Sequence, residues 1–240
     1  MSSPAPVTNT SAVILCGGKG ERLRPFTATM PKPLVPLGDR PLLGHLMDYL
    51  ARHGIRNFVL CTGYKKDAIE EFARGVPTEW GVTCVDSGDA SMMDRILDAL
   101  PRVVGRTLVC YGDTLANVDL RALAAAHERG GALATVTVHP LESPFGIVEV
   151  TEGGVVEAIR EKPRLPHWIN IGFLMCETAA FGHARRGTDL VQFLQTLIRA
   201  NQLRAHRHEG RHLTVNTEQE RSVAEREIVF FTYPEGTPLT

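Results

Sequence analysis

The chain has 240 residues, of which 43% are hydrophobic and 22% charged, as is typical of a globular protein with one large α/β domain. Its 26 basic and 27 acidic residues give a formal net charge of −1, so we expect no bulk electrostatic attraction to nucleic acid or to a membrane surface. No apolar run reaches the roughly 18 residues that a transmembrane helix needs.

The first ten residues are small and polar, rich in Ser, Pro and Thr. They lack the basic start and the apolar stretch of a signal peptide. We therefore expect residues 1–11 to form a disordered lead-in and residues 12–240 to form a single domain.

The cysteines are five in number, and none of them belongs to a C-x-x-C pair. Most lie in apolar, strand-like runs, where a thiol behaves as a small hydrophobic side chain. This pattern predicts reduced core thiols in a cytoplasmic protein and argues against a disulfide framework or a zinc site. The residues are Cys16, Cys61, Cys84, Cys110 and Cys176.

Strand-like and helix-like segments alternate through the first half of the chain. Hydrophobic periodicity predicts helices over residues 42–53, 66–74 and 94–100. Apolar runs predict strands over residues 13–16, 57–62, 81–85 and 106–111. Repeated β-α-β units at this spacing imply a doubly wound, mostly parallel sheet of the Rossmann-like α/β class. Ligands of such sheets bind at the carboxyl ends of the strands.

The second half is richer in strand-like segments and has no linker or repeat. Helices are predicted over residues 119–129 and 189–200, and a hairpin is predicted over residues 146–150 and 155–160. Further strands are predicted over residues 134–139, 169–176, 204–208 and 228–233. The last of these is an apolar strand whose edge would favour pairing in a homo-oligomer. We expect this half to form a small β-rich lobe and the second wall of a cleft.

A glycine-rich turn with basic residues follows the first predicted strand. Gly17, Gly18 and Gly20 interrupt the chain directly after it, and glycines let backbone N–H groups approach a phosphate closely. Arg22, and Lys32 between two prolines, supply the positive charge that a polyphosphate needs. The turn therefore predicts a nucleoside triphosphate site, with a tight turn carrying solvated cations as the alternative interpretation.

The turn differs from two common phosphate-binding motifs. It contains no G-x-x-x-x-G-K-[ST] and is therefore not a P-loop. It also departs from the dinucleotide motif G-x-G-x-x-G, because Leu23 occupies the third glycine position.

The complete string, G-G-x-G-x-R-L-x-P followed by T-x-x-x-P-K-P-L-x-P, resembles the opening motif of the sugar-1-phosphate nucleotidyltransferases. The resemblance implies transfer of a nucleoside monophosphate from a nucleoside triphosphate to a sugar-1-phosphate, with Mg²⁺ as cofactor and pyrophosphate as product. It assigns catalytic roles to Arg22 and Lys32. Nucleotide binding falls to Leu15, Gly17, Gly18 and Gly20. Residues 12–118 would then be mainly the nucleotide-binding half and residues 119–240 mainly the acceptor-binding half.

Asp113 follows an apolar strand in the sequence Y-G-D-T. A carboxylate at a strand end can hold Mg²⁺ against a triphosphate, since Mg²⁺ takes only one or two carboxylates beside phosphate oxygens and water. The alternative is that Asp113 caps the next segment. The resemblance implies the metal role, because a Gly-Asp at this place is the family's metal-binding motif, and it adds Gly112 to the nucleotide-binding residues.

Three short motifs in the second half match the acceptor side of the same family. A lone E-K-P loop is usually solvated, but in this order the resemblance implies that Lys162 contacts the sugar phosphate and that Glu161 binds sugar hydroxyls. The segment I-N-I-G-F resembles the family's N-x-G-[FI] strand, in which Asn170 and Gly172 would face the sugar. Gly146, in P-F-G, is the remaining expected acceptor-binding residue.

Within the family, the chain most resembles the glucose-1-phosphate cytidylyltransferases. This likeness extends from about residue 12 to residue 225. It rests on the segments C-T-G-Y-K, Y-G-D and P-F-G and on residues 203–210. CTP is therefore the favoured donor. That branch has T-G-x-x-T-x-T-G-G-R where residues 87–95 read S-G-D-A-S-M-M-D-R. Gly88 and Arg95 remain expected nucleotide-binding residues, but the departure leaves guanylyl, uridylyl and thymidylyl transfer to this or another phosphorylated acceptor as alternatives.

A second departure concerns the metal. The family's second metal carboxylate stands in a D-T pair, which corresponds here to Asn216-Thr217. An amide offers an oxygen but no charge, so we expect Asn216 to be a weaker metal ligand or Glu218 to replace it. This departure also keeps open a nucleotide-binding regulator without activity on the same fold.

Two further features have simpler interpretations. A strand with exposed polar positions explains His206, His208 and His212 better than a metal site does, since no carboxylate or cysteine accompanies them at ligand spacing. Trp168 is expected either to stack on a sugar or to cover the edge of the cleft.

Overall fold

The computed structural model describes residue 7 and residues 9–232, and thirteen strands and eight helices lie in these ranges. The strands are β1 (Thr10–Leu15), β2 (Pro36–Leu37), β3 (Arg40–Pro41), β4 (Asn57–Thr62), β5 (Gly81–Asp86), β6 (Arg106–Tyr111), β7 (Thr114–Ala116), β8 (Ala134–Glu142), β9 (Ile147–Val150), β10 (Val156–Arg160), β11 (Arg164–Cys176), β12 (Leu203–Arg207) and β13 (His212–Thr214). The helices are α1 (Phe26–Thr29), α2 (Leu42–Arg52), α3 (Lys66–Arg74), α4 (Met92–Ala99), α5 (Leu120–Gly130), α6 (Leu190–Arg199), α7 (Glu218–Glu227) and α8 (Val229–Thr232). Short 3-10 helices cover Glu21–Leu23, Lys32–Leu34, Leu100–Arg102 and Thr178–His183.

Seven of the strands form one central sheet in the order β12-β8-β11-β6-β1-β4-β5. The strands β6, β1, β4 and β5 run parallel to one another, and β12 runs parallel to β8, whereas β11 runs antiparallel to both β6 and β8. Three small two-stranded sheets, β9–β10, β7–β13 and β2–β3, lie outside it. The predicted α/β class with a mostly parallel sheet and additional small sheets is confirmed.

Helices cover both faces of the central sheet. Successive side chains of a strand point to opposite faces, so a strand that is covered on both faces contributes to two cores. In β1, Ile14 faces a core that includes Leu46 of α2, whereas Val13 faces a second core that includes Phe193 of α6. The strand is therefore apolar from Ala12 to Leu15, as is usual for a parallel strand buried on both faces.

Apart from the strand predicted over residues 228–233, the predicted elements agree with the observed ones to within a few residues, with β11 as the largest difference. It begins at Arg164 rather than at residue 169, because its outer part pairs with β8 up to Glu142. The short elements α1, β2, β3, β7 and β13 and the helix α7 were not predicted. Strands of three residues leave too short a hydrophobic pattern to detect.

The expected disordered lead-in is wrong where the structure describes it. Val7 is buried, and its N–H donates to the carbonyl of His53 at 3.2 Å. Thr10 and Ser11 belong to β1 and are also buried. Of the same segment, residues 1–6 and 8 lie outside the described residues.

The predicted strand over residues 228–233 is also wrong. Residues 229–232 form α8, which continues the chain directly after α7. Phe231 is 2% exposed and belongs to the core that contains α2, and its carbonyl accepts a hydrogen bond from Arg52. Burial of Phe231 thus overrides the strand propensity of the apolar run. Residue 233 lies outside the described residues. The edge from which a homo-oligomer was expected is absent from residues 228–232, so that expectation loses its basis.

All five cysteines are free thiols, and four of them are buried. Burial raises the pKa of Cys61 to about 12, because a thiolate is poorly solvated in the core. The prediction of reduced core thiols is confirmed for these four, and Cys84 is partly buried. No helix within the described ranges is long and apolar enough to cross a membrane.

Candidate active site

A cavity of about 1120 Å³ opens at the carboxyl ends of β1, β4, β5 and β6. The strands end side by side there: the N–H of Cys16 donates to the carbonyl of Cys61, and that of Gly112 to the carbonyl of Leu15. The site residues predicted from the sequence that line this cavity are Leu15, Gly17, Gly18, Lys32, Gly88, Arg95 and Asp113. Fold position and motif therefore agree on one edge of the sheet.

Lys32 carries the best-buried charge of this edge. The residue is only 8% exposed, and its ammonium lies 2.5 Å from Asp113 Oδ2 and 2.8 Å from Asn216 Oδ1. A buried ammonium requires such partners to offset the loss of hydration. An ammonium has three N–H donors, so one donor remains after these two bonds.

Gly20 makes room for the Lys32 side chain. It adopts a φ of +59°, and a Cβ at this position would lie 2.9 Å from Lys32 Cβ and 3.0 Å from Thr27 Cγ2. Only glycine combines this left-handed conformation with so close an approach. Gly112 likewise packs against a neighbour, since a Cβ there would lie 2.7 Å from the carbonyl oxygen of Leu15. Neither glycine lines the cavity, but each allows the backbone to pack closely against a residue that does, Lys32 or Leu15.

Asn216 meets the same cluster from the other end of the chain. Its Oδ1 also accepts a hydrogen bond of 3.1 Å from Arg22 Nη2. The small sheet β7–β13 brings it there, because Thr214 pairs with Thr114, and the N–H of Val215 donates to the carbonyl of Asp113 at 3.2 Å. Arg22, Lys32, Asp113 and Asn216 thus form one hydrogen-bonded group, which we call the cation cluster.

The backbone before the cation cluster offers further donors. Among the described residues, the N–H groups of Gly17 and Gly18 donate no hydrogen bond, and both residues line the cavity. Unpaired N–H groups in a turn after a strand form a concave site for an anion. The site therefore combines fixed positive charge with open backbone donors, which suits a polyphosphate.

Arg95 lines the cavity, yet its guanidinium bonds to the protein. It is 9% exposed and donates to the carbonyls of Thr62, Gly88 and Ala90, the last two at 2.6 and 3.2 Å. These bonds join the last residue of β4 to the loop that follows β5. Its guanidinium also occupies the space beside Gly17, where any Cβ would collide with it. The geometry thus gives Arg95 a role in holding the walls of the cavity together.

Two of the predicted acceptor residues adjoin the cavity through Tyr111. Asn170 Nδ2 lies 3.4 Å from the Tyr111 hydroxyl, and Asn170 Oδ1 accepts from the N–H of Gly172 at 2.9 Å. Gly172 has a φ of +76°, and any Cβ there would collide with the Tyr111 ring. Tyr111 itself lines the cavity, and burial raises the pKa of its phenol.

The other three acceptor residues lie at the base of the β9–β10 hairpin. A Cβ at Gly146 would be 3.1 Å from Glu161 Oε2, so these two residues are close neighbours. Glu161 and Lys162 are exposed, and Lys162, two residues after β10, adopts a φ of +43°. None of the three lines the cavity.

Of the three residues expected to bind metal, Asp113 fits a divalent cation, whereas Asn216 and Glu218 do not. The carboxylate of Asp113 stands at the cavity and is partly exposed, and one carboxylate with phosphate oxygens and water is a set that Mg²⁺ accepts. Asn216 Oδ1 already accepts two hydrogen bonds. Glu218 pairs with Arg221, which lowers the pKa of its carboxyl. Nowhere in the described part of the chain do three or more His, Cys, Asp or Glu side chains stand ready to hold a metal ion.

The expectation of exposed polar positions at the histidines is wrong. His208 is buried, and His206 and His212 are partly buried. His139, which the sequence did not single out, packs its ring 5.9 Å from that of His208 and 5.2 Å from that of His212. Burial lowers the pKa of His206 and His208, and that of His212 to about 4.

Trp168 is 37% exposed, and its ring is already in contact with charged side chains. The guanidinium groups of Arg207 and Arg164 lie 5.0 and 5.5 Å from the ring centroid. Both distances fall within the range of a cation–π interaction.

Comparison with known proteins agrees with these motifs. The model of the nucleotidyl transferase family matches residues 11–189. The chain belongs to the nucleotidyl transferase family. The family recognised from the sequence is thereby confirmed, as is the transferase class of the enzyme.

Two curated relatives differ in the nucleotide that their names indicate. The chain is 32% identical over 232 residues to the "Probable glucose-1-phosphate cytidylyltransferase" of Bacillus subtilis, covering 86% of this chain and 91% of that protein. It is 29% identical over 162 residues to a mannose-1-phosphate guanyltransferase of Saccharomyces cerevisiae, covering 63% and 45%. The family is therefore certain, whereas the base varies among its members.

Solved structures agree on the fold. HddC from Yersinia pseudotuberculosis, complexed with GMP-PN, superposes with a TM-score of 0.70 at 18% identity, over 90% of this chain and 98% of that one.

Proposed function

We propose that this enzyme transfers a nucleoside monophosphate from CTP to a sugar-1-phosphate, giving a nucleoside diphosphate sugar and pyrophosphate. The observation that carries the proposal is the buried Lys32 ammonium, 2.5 Å from the Asp113 carboxylate at the edge of the cavity. The choice of CTP is supported by the likeness to the Bacillus subtilis relative. Mg²⁺ bound through Asp113 is part of the proposal.

The proposed nucleotidyl transfer requires the protein to position the two substrates and to supply positive charge, but it does not require a general base. A phosphate oxygen of the acceptor is already an anion, so it attacks the α-phosphorus of the donor without first losing a proton. The new P–O bond forms as the bond between the α-phosphorus and the bridging oxygen breaks, and pyrophosphate leaves with that electron pair. Two anionic reactants repel each other unless cations lie between them, so the rate depends on fixed positive charge.

Each cation of the site has a separate task in this scheme. Lys32 directs its remaining N–H donor at the α-phosphate, while Asp113 and Asn216 fix the ammonium. Arg22 binds the β- and γ-phosphates and stabilises the leaving pyrophosphate. Lys162 binds the phosphate of the acceptor, and Asn170 and Gly172 contact its sugar.

The backbone and the metal complete the charge balance. The N–H groups of Gly17 and Gly18 donate to phosphate oxygens of the donor. Mg²⁺, when bound at Asp113, would supply further positive charge to offset the negative charge of the phosphates in the transition state.

The test is pyrophosphate release with Mg²⁺, measured for CTP, GTP, UTP, dTTP and ATP, each with several sugar-1-phosphates. The expected result is the highest kcat/KM for CTP with a hexose-1-phosphate. Preference for another triphosphate would correct the base and leave the reaction type intact. No release from any pair, while a triphosphate still raises the melting temperature, would instead support a regulator that only binds nucleotide.

A further inference from the structure

Asn216 uses its side-chain oxygen on two cations at once. Lys32 Nζ donates to Asn216 Oδ1 at 2.8 Å, and Arg22 Nη2 donates to the same atom at 3.1 Å. An amide carbonyl oxygen has two lone pairs. Both are therefore engaged, and this oxygen is not open to a metal ion.

The main chain fixes this oxygen independently of the two cations. The N–H of Asn216 donates to Glu220 Oε2 at 2.6 Å, and that of Val215 donates to the carbonyl of Asp113 at 3.2 Å. Thr217 caps α7 by accepting from the N–H of Glu220, and the Glu220 carboxylate in turn accepts from the N–H of Thr217, which completes a capping box. Asn216 is thus held by its neighbours on both sides, so it can orient the cations rather than follow them.

The charge of the cation cluster depends on the residue being an amide. Arg22 and Lys32 each carry one positive charge, and Asp113 carries one negative charge, so the cluster has a net charge of about +1 with a neutral Asn216. A carboxylate at this position would bring the sum to about zero. It would also attract both cations away from a bound anion.

We propose that Asn216 is a positioning residue that aims Arg22 and Lys32 at the polyphosphate of the donor and does not ligate the metal. The aim of these cations at a donor rests on the proposed function. It follows that the protein binds a polyphosphate without a divalent cation. Asp113 alone remains as a protein ligand in the cluster, so a divalent cation binds well only when phosphate oxygens complete its coordination.

The first measurement is calorimetric binding of inorganic tripolyphosphate in EDTA, which needs neither a nucleobase nor a metal. We expect Asn216→Ala to weaken binding about tenfold, because charge-assisted donors lose their alignment. Asn216→Asp should weaken it further, because it removes the net charge. The matched control is Asn117→Ala, another amide of the β7–β13 region, which accepts from the N–H of Arg211 at 2.6 Å and should bind tripolyphosphate as the wild type does.

The second measurement is Mn²⁺ binding to the protein without any phosphate ligand, followed by electron paramagnetic resonance. Wild type and Asn216→Ala should bind Mn²⁺ equally weakly, and tripolyphosphate should strengthen binding in the wild type. Tighter Mn²⁺ binding by wild type than by Asn216→Ala, without phosphate, would make Asn216 a metal ligand and overturn the proposal.

Three tripolyphosphate results would also overturn it: no binding by the wild type in EDTA, equal affinity of Asn216→Ala, or equal affinity of Asn216→Asp. Melting temperatures of all variants separate loss of alignment from loss of folding. In turnover, a positioning role raises KM for the triphosphate and leaves KM for the sugar phosphate unchanged.

Failure of the proposed function would look different. Tripolyphosphate binding that depends on Asn216, without pyrophosphate release from any substrate pair, would retain the positioning role and reject the transferase reaction. Pyrophosphate release with tripolyphosphate binding that is indifferent to Asn216 would do the reverse.

Discussion

The central cation on the proposed donor side of the cleft is buried, whereas the cation on the proposed acceptor side is exposed. Lys32 is 8% exposed and bonded to Asp113 and Asn216. Lys162 is exposed at the end of β10 and makes no hydrogen bond or ion pair with another described residue. In the proposed reaction, the donor side is therefore organised before any ligand binds, while Lys162 would gain its partner when the acceptor binds. Preorganised charge contributes most to the rate, so the two sides should respond differently to substitution.

The largest effect is expected on the donor side at Lys32. Lys32→Met keeps the length of the side chain but removes the charge beside the α-phosphate, and kcat/KM for pyrophosphate release should fall about 10²–10³-fold. Lys19→Met is the control, since Lys19 is an exposed cation that lines the same cavity. If kcat/KM fell no further for Lys32→Met than for Lys19→Met, a buried and hydrogen-bonded cation would contribute no more to the rate than an exposed one, and the contrast would be contradicted.

Arg22→Ala should act mainly on turnover. Arg22 is exposed but aligned by Asn216, and its loss withdraws charge from the leaving pyrophosphate, so kcat should fall about 10–10²-fold. Arg24→Ala, an exposed arginine two residues further along the same loop, should change kcat little. Activity of Arg22→Ala equal to that of the wild type would contradict the proposal that Arg22 stabilises the leaving pyrophosphate.

On the acceptor side, Lys162→Ala should change binding rather than turnover. KM for the sugar phosphate should rise about tenfold through loss of a charge-assisted contact, with KM for the triphosphate unchanged. Its melting temperature should equal that of the wild type, because Lys162 is exposed. Arg160→Ala is the neighbouring control, since Arg160 already pairs with Glu149. A rise in KM for the triphosphate instead would place Lys162 on the donor side.

The donor side could be predicted in large part because apolar strands determine where its loops begin. Gly17 and Asp113 follow runs that are buried on both faces, so their meeting at one sheet edge follows from the parallel topology. The bond between Asn216 and Arg22 could not be foreseen, since it depends on pairing between β7 and β13, which have three residues each. Similarity of motifs suggested a metal ligand there, and only the geometry revealed two hydrogen-bond donors.

Tertiary contacts also explain what the sequence misjudged elsewhere. Residues 228–233 are apolar enough for a strand, but Phe231 is buried against the core when the chain turns into α8. Arg95 has the sequence position of a nucleotide-binding residue, yet all three of its donor nitrogens meet backbone carbonyls. Its function in the cavity wall depends on the end of β4 and the loop after β5 lying close together, and no local sequence pattern encodes that proximity.

The smallest expected effect concerns the stability of β13, in which the His212 ring packs against that of His139 and which ends two residues before Asn216. Burial lowers the pKa of His212 to about 4 in the folded protein, below its value of about 6.5 in an unfolded chain. The unfolded state therefore binds more protons between these values, and the free energy of unfolding should fall as the pH drops from about 6.5 to about 4. Because the His139 ring packs against those of His208 and His212, we expect protonation of His212 to lower the free energy of unfolding by roughly 1–2 kcal/mol at most.

Urea unfolding at several pH values measures this loss. His212→Gln should flatten the dependence of the unfolding free energy on pH, whereas His167→Gln, at an exposed position of β11, should retain it. A slope that is the same in both variants would mean that protonation of His212 does not destabilise the strand that leads to Asn216.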